Sequence, residues 1–69
     1  MPLTLAEIGT EHTIVHIGGN EATKKHLEDL GFHVGGKVMV VSKIGGNLIV
    51  NVKETRIALD AKMAAKISV

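Results

Sequence analysis

The chain has 69 residues and a formal charge of +1, with 45% apolar, 22% charged and 1% aromatic residues and no cysteine. A chain this short forms one domain, residues 1–69, with no second lobe to close a deep catalytic cleft. Phe32 is the only aromatic side chain outside the histidines, which speaks against an aromatic platform for stacking nucleic-acid bases, and the near-neutral charge speaks against a basic phosphate-binding stripe. Disulfides and thiolate metal sites are absent with cysteine.

The start of the chain, Met1-Pro2-Leu3-Thr4, has no basic segment leading into an apolar run, so no signal peptide is expected. No apolar stretch nears the ~20 residues that span a bilayer. The expectation is a soluble, cytoplasmic protein without direct membrane insertion, reaching any membrane through a partner.

Glycines punctuate the chain at Gly9, Gly18-Gly19, Gly31, Gly35-Gly36 and Gly45-Gly46, and the short segments between them favour a β-rich domain. Residues 13–17 (T-I-V-H-I) are β-branched and read as the first strand. After Gly18-Gly19, Asn20 caps a helix over 21–30, with Glu21 at the positive end of its dipole. Gly31 suits the left-handed position that follows, and Phe32 folds back against Leu27 in a Schellman cap.

Residues 38–43 and 47–52 read as a hairpin with two possible registers. A two-residue Gly45-Gly46 loop pairs Val41 with Val50. A three-residue loop from Ile44 pairs Val40 with Val50 and Val38 with Val52. The second is favoured, because Val38, Val40, Leu48, Val50 and Val52 then share the inner face. Residues 56–59 read as a further strand. Asp60 caps one helical turn through Met63 and Ala64, and Ile67 and Val69 alternate in a closing strand.

The expected architecture is therefore mainly β. It is a small barrel of about five strands, with one α-helix inserted after the first strand and a short helical turn before the last. Curling such a sheet removes its exposed edges.

The run Leu27-x-x-Leu30-Gly31-Phe32-x-x-Gly35-x-x-Val38-x-Val40 resembles the signature of the FeoA family. So do Leu5-Ala6-Glu7-Ile8, Ile17-Gly18-Gly19, Val50-x-Val52, Arg56-Ile57-Ala58-Leu59, Met63-Ala64 and Ile67-x-Val69. The chain departs from the family's usual residues at Ile8 and Val34, where Pro often precedes the Gly, and at His26, where a basic residue, commonly Arg, often precedes the Leu. The resemblance implies an SH3-like barrel, related to the C-terminal domain of DtxR-type repressors. It also implies a non-catalytic role in ferrous iron transport beside the membrane transporter FeoB.

Nothing in the residues points to an enzyme. The Ser and Thr side chains are scattered and lie in no nucleophile elbow, and Gly18-Gly19-Asn20 lacks the Lys and Ser/Thr of a phosphate loop. No cofactor is expected beyond a transient Fe2+ or similar divalent ion. His26 and His33 flank Gly31, and Asp29 lies one turn after His26, so these three are the candidate metal ligands. His12 and His16, on one side of a strand, stand about 13 Å apart along it, too far to share an ion unless the segment bends.

In the hairpin, Met39, Val41 and Ile49 point away from the barrel centre. Either the 21–30 helix covers them through Leu27 and Leu30, or they form a docking patch for a protein partner. Lys24 and Lys25 on the helix are candidates for steering that partner. The leading functional expectation is a protein-interaction accessory of ferrous iron uptake. The alternatives are a direct metal-ion sensor or carrier and, with less in its favour, a nucleic-acid-binding barrel.

Overall fold

A computed structural model describes residues 1–69. A short 3-10 helix, Leu3–Leu5, opens the chain. Strands β1 (Glu11–Thr13) and β2 (His16–Ile17) precede helix α1 (Glu21–Leu30). Strands β3 (Lys37–Ile44), β4 (Asn47–Val52) and β5 (Thr55–Asp60) follow, then a one-turn helix α2 (Ala61–Ala64) and β6 (Ile67–Ser68).

The strands form two sheets, one in the order β1-β3-β4-β5 and one pairing β2 with β6. All neighbouring strands are antiparallel. The expected single strand over 13–17 is thus divided between sheets. Ile14 N donates to Gly36 O (2.9 Å), beside the larger sheet, while Val15 N donates to Ser68 O (2.9 Å), beside the smaller one. The turn of the chain between them explains the burial. Ile14 and Ile17 are both buried while Val15 is 60% exposed, a spacing that an unbroken period of two cannot produce. A strand that changes sheets makes a corner of this kind.

Helix α1 has the expected limits. Asn20 Oδ1 accepts from Thr23 N at 2.8 Å. At the other end Gly31 has φ 109°. Phe32 N donates to Leu27 O (3.0 Å) and Gly31 N to Glu28 O (2.9 Å), the two bonds of a Schellman cap. Phe32 and Leu27, the pair that this cap brings together, are both fully buried. Asp60 Oδ1 likewise accepts from Met63 N at 2.8 Å and starts α2.

The hairpin uses both registers. Ile44, Lys43 and Ser42 pair with Asn47, Leu48 and Ile49, as a two-residue loop requires, whereas Val40 and Met39 pair with Val50 and Asn51. Val41 is the extra residue of a β-bulge between them. The bulge lets the tight Gly45-Gly46 loop coexist with an inward-facing Val38 and Val40.

Fourteen apolar residues are buried and no polar one is. The five hairpin residues expected on the inner face are all among them, joined by Leu3, Ala6, Ile14, Ile17, Leu27, Phe32, Leu59, Ala64 and Ile67. Leu3 and Ala6 come from the 3-10 segment, which has no periodic signal in the sequence.

Candidate functional site

The outer face of the β1-β3-β4-β5 sheet carries the site. Cross-strand pairing sets Glu11, Met39, Asn51 and Arg56 in one row and places Ile49 beside Ala58 in the next. The bulge puts both Val41 and Ser42 opposite Ile49. Met39, Val41, Ser42, Ile49 and Asn51 are all half-buried.

Of the two arrangements open to this face, the helix cover is not the one formed. Leu27 belongs to the core and Leu30 packs against it, so α1 commits its apolar side to the barrel interior. Met39, Val41 and Ile49 lie outside that packing. Lys24 is half-buried and Lys25 exposed on α1, on a different element from the apolar face.

A shallow cleft of about 350 Å³ opens beside Met39, its one apolar lining residue, and is rimmed by Glu11, Lys37, Asn51, Lys53 and Glu54. Its charges balance, with two lysines and two glutamates. Lys37 is held in place by a 2.6 Å bond from its Nζ to Thr13 Oγ1. The rim at Lys53-Glu54 is the two-residue loop of the β4–β5 hairpin, closed by the Val52–Thr55 pair. Both residues have positive φ, 50° and 64°, the backbone of a type I′ turn. That turn normally takes Asn-Gly, because a Cβ crowds the following carbonyl in the left-handed region.

Replacing Lys53-Glu54 by Asn-Gly removes this strain, offset partly by the chain entropy of glycine. We expect a gain of about 1 kcal/mol and a melting temperature higher by roughly 4–8 °C. Calorimetry on the double variant checks it; an unchanged or lower melting temperature contradicts the strain.

The histidines do not assemble a metal centre. His26, Asp29 and His33 are each exposed, and no three His, Asp or Glu side chains anywhere in the chain are grouped so that they could hold a metal ion. His12 and His16 fall in different sheets. His12 Nε2 is buried without a hydrogen-bond partner. Glu11, Asn51, Glu54 and the 56%-exposed Ile8, which bridges to Val40, were not singled out from the sequence. Only cross-strand neighbours place them, and no local pattern carries that information.

The FeoA domain model matches residues 1–69. The chain belongs to the FeoA domain family. Its SH3-like barrel recurs in a zinc complex of FeoA from Stenotrophomonas maltophilia, a prokaryotic SH3 domain protein put forward as a ferrous iron transport activating factor. That protein is 30% identical, with 99% of this chain and 87% of that one covered and a TM-score of 0.85. A FeoA described as an iron uptake regulatory protein shares 22% identity over 97% of this chain and 91% of its own, with a TM-score of 0.90. A manganese-dependent transcriptional repressor shares the fold at 16% identity and a TM-score of 0.88, covering 97% of this chain but 39% of the repressor. None of the curated proteins is a significant match to the chain. No helix of this FeoA domain is long and apolar enough to cross a membrane.

Proposed function

We propose that this FeoA domain is a non-catalytic cytoplasmic accessory of ferrous iron uptake that docks on the cytosolic part of a FeoB-type membrane transporter. The observation that carries the reading is the outer sheet face, where Met39, Val41 and Ile49 are only half-buried and α1 leaves them uncovered. Family membership and the activating role put forward for the S. maltophilia relative supply the iron-transport context. An apolar strip beside a mixed-charge cleft suits a protein surface, because the strip supplies desolvation and the charges fix orientation. Lys24 and Lys25 share α1 with Glu21, Glu28 and Asp29, so they would orient a partner through paired charges rather than by a net positive field.

Titrating the transporter's cytosolic part into the labelled protein tests this by amide NMR. Shifts are expected at Met39, Val41, Ile49 and the Lys53-Glu54 rim. The double variant Val41→Glu, Ile49→Glu, whose side chains lie outside the core, should bind at least tenfold more weakly, about 1.4 kcal/mol. No shifts at high partner concentration, or shifts confined to another face, count against the reading.

Direct metal sensing has less support in this chain. The zinc belongs to the relative, and His26, Asp29 and His33 do not converge here. A Zn2+ titration separates the two ideas: saturable shifts confined to those three residues would favour the sensor.

A further inference from the structure

Strand β5 ends the larger sheet, in the order β1-β3-β4-β5. It spans Thr55–Asp60 and pairs with β4 in an unbroken register. Along its other side it has no bridge and no turn or loop backbone bond.

The register says which groups face that open side. The β4–β5 loop has two residues, so its turn bond joins Thr55 to Val52 and makes that pair a hydrogen-bonded one. Hydrogen-bonded pairs alternate along an antiparallel ladder, so Ile57 and Leu59 also exchange bonds with β4. Arg56, Ala58 and Asp60 are the non-bonded positions, so their N–H and C=O groups point away from β4; the Asp60 carbonyl accepts the first bond of α2, which leaves both groups of Arg56 and Ala58 and the N–H of Asp60 to the open side.

Natural edges are usually blunted by shortness, bulges, proline or charged side chains. β5 is six residues long without bulge or proline, and its edge charges are of opposite sign. Its edge positions read Arg56, Ala58, Asp60, a cation and an anion placed symmetrically about a small residue. All three side chains are exposed, and no side-chain hydrogen bond engages Arg56. Asp60 uses Oδ1 to cap α2, which leaves its second carboxylate oxygen available.

We propose that β5 is a self-recognition edge: two copies of this chain pair antiparallel along it, with the two-fold axis at Ala58. In that register Ala58 faces Ala58 of the other copy, and each Arg56 faces the other copy's Asp60. The outward-pointing groups of Ala58, with the Arg56 carbonyl and the other copy's Asp60 N–H, bond across the axis, and two opposite-charge cross-strand pairs form on one face. Two four-stranded sheets become one of eight strands. A parallel pairing, or an antiparallel one shifted by two residues, loses this charge match. One six-residue strand per copy makes a small interface, so the dimer belongs to the weak, transient class. The proposal does not rest on transporter docking, although Arg56 and Ala58 border the docking face at Asn51 and Ile49.

The test is sedimentation and amide hydrogen exchange on the whole chain alone, from about 20 μM to about 1 mM, where a weak interface of this kind is half-populated. A reversible dimer is expected, with the Ala58 and Asp60 amides exchanging more slowly as concentration rises. Arg56→Glu sets like charges opposite each other and should weaken the dimer at least tenfold. Asp60→Asn keeps the cap, since Asn and Asp cap equally well, and should weaken it less. Ala58→Pro removes an N–H that β4 does not use, so it should abolish pairing while the monomer stays folded. The proposal is overturned by a monomer across the whole range, by a dimer whose protected amides lie elsewhere, or by a dimer indifferent to Arg56→Glu.

Discussion

Phe32→Ala should abolish the cooperative unfolding transition of this domain. The ring is fully buried, the only aromatic in the core, and the largest of its buried side chains. Truncating a buried Phe to Ala costs about 3–5 kcal/mol. A single core in a chain of this length supplies a net stability of roughly the same size, about 3–5 kcal/mol. The two magnitudes nearly cancel, so even the lower end leaves a substantial unfolded population at 25 °C. The side chain also follows the Schellman cap, whose Phe32 N to Leu27 O bond ends α1. Loss of the ring therefore loosens the helix end along with the core. Phe32→Leu separates these effects, because Leu preserves much of the volume and the cap's apolar contact. Amide NMR and a urea transition read both variants. The expected order is a sharp transition for the native chain, a weaker but cooperative one for Phe32→Leu, and poorly dispersed signals for Phe32→Ala. A folded Phe32→Ala with only a few degrees lost would mean that the core does not depend on its single ring.

The same helix end shows which information was local. Asn20, Gly31 and Asp60 act through bonds to residues within a few positions, so residue identity alone places them. The inner face of the hairpin was equally legible, because only one of its two registers puts Val38, Val40, Leu48, Val50 and Val52 on a shared face. What escaped depends on neighbours distant in sequence. The choice between two registers is resolved by a bulge at Val41, and the bulge exists because the tight loop and the apolar face demand different pairings. The Lys53-Glu54 turn carries no Gly or Asn to announce it. Its positive φ values are imposed by the pairing of β4 with β5 on either side. The outer face followed the sequence in parity, since Met39, Val41 and Ile49 do turn away from the core. Its cover did not, because Leu27 and Leu30 were equally able, on spacing alone, to face the interior or the outer strands. The cleft rim joins β1 to the β4–β5 loop, a meeting that only the completed sheet creates.

The 3-10 helix at the start of the chain is the element with the least sequence signal and, at Leu3, one of the largest expected energetic roles. Leu5 N donates to Pro2 O and Ala6 N to Leu3 O, each at 3.0 Å. Three residues per turn bring Leu3 and Ala6 to one side. Both are fully buried, while Leu5 is 67% exposed. Three residues are too few to display a period, and Leu3 and Leu5 look equivalent in the sequence. The structure separates them. Leu3 plugs the end of the barrel, where the segment packs against α2. The backbone around it is tied down by Lys43 Nζ to Thr4 O at 3.0 Å and by Val69 N to Met1 O at 2.7 Å. Those ties limit collapse into the space that truncation leaves, and cavities that cannot collapse lie at the costly end of the scale. Leu3→Ala should therefore cost about 2–5 kcal/mol, whereas Leu5→Ala should stay within about 0.5 kcal/mol of the native chain. Paired urea transitions on the two variants measure the difference directly. Equal midpoints would show that the 3-10 segment lies loosely on the barrel, and that the core closes without it.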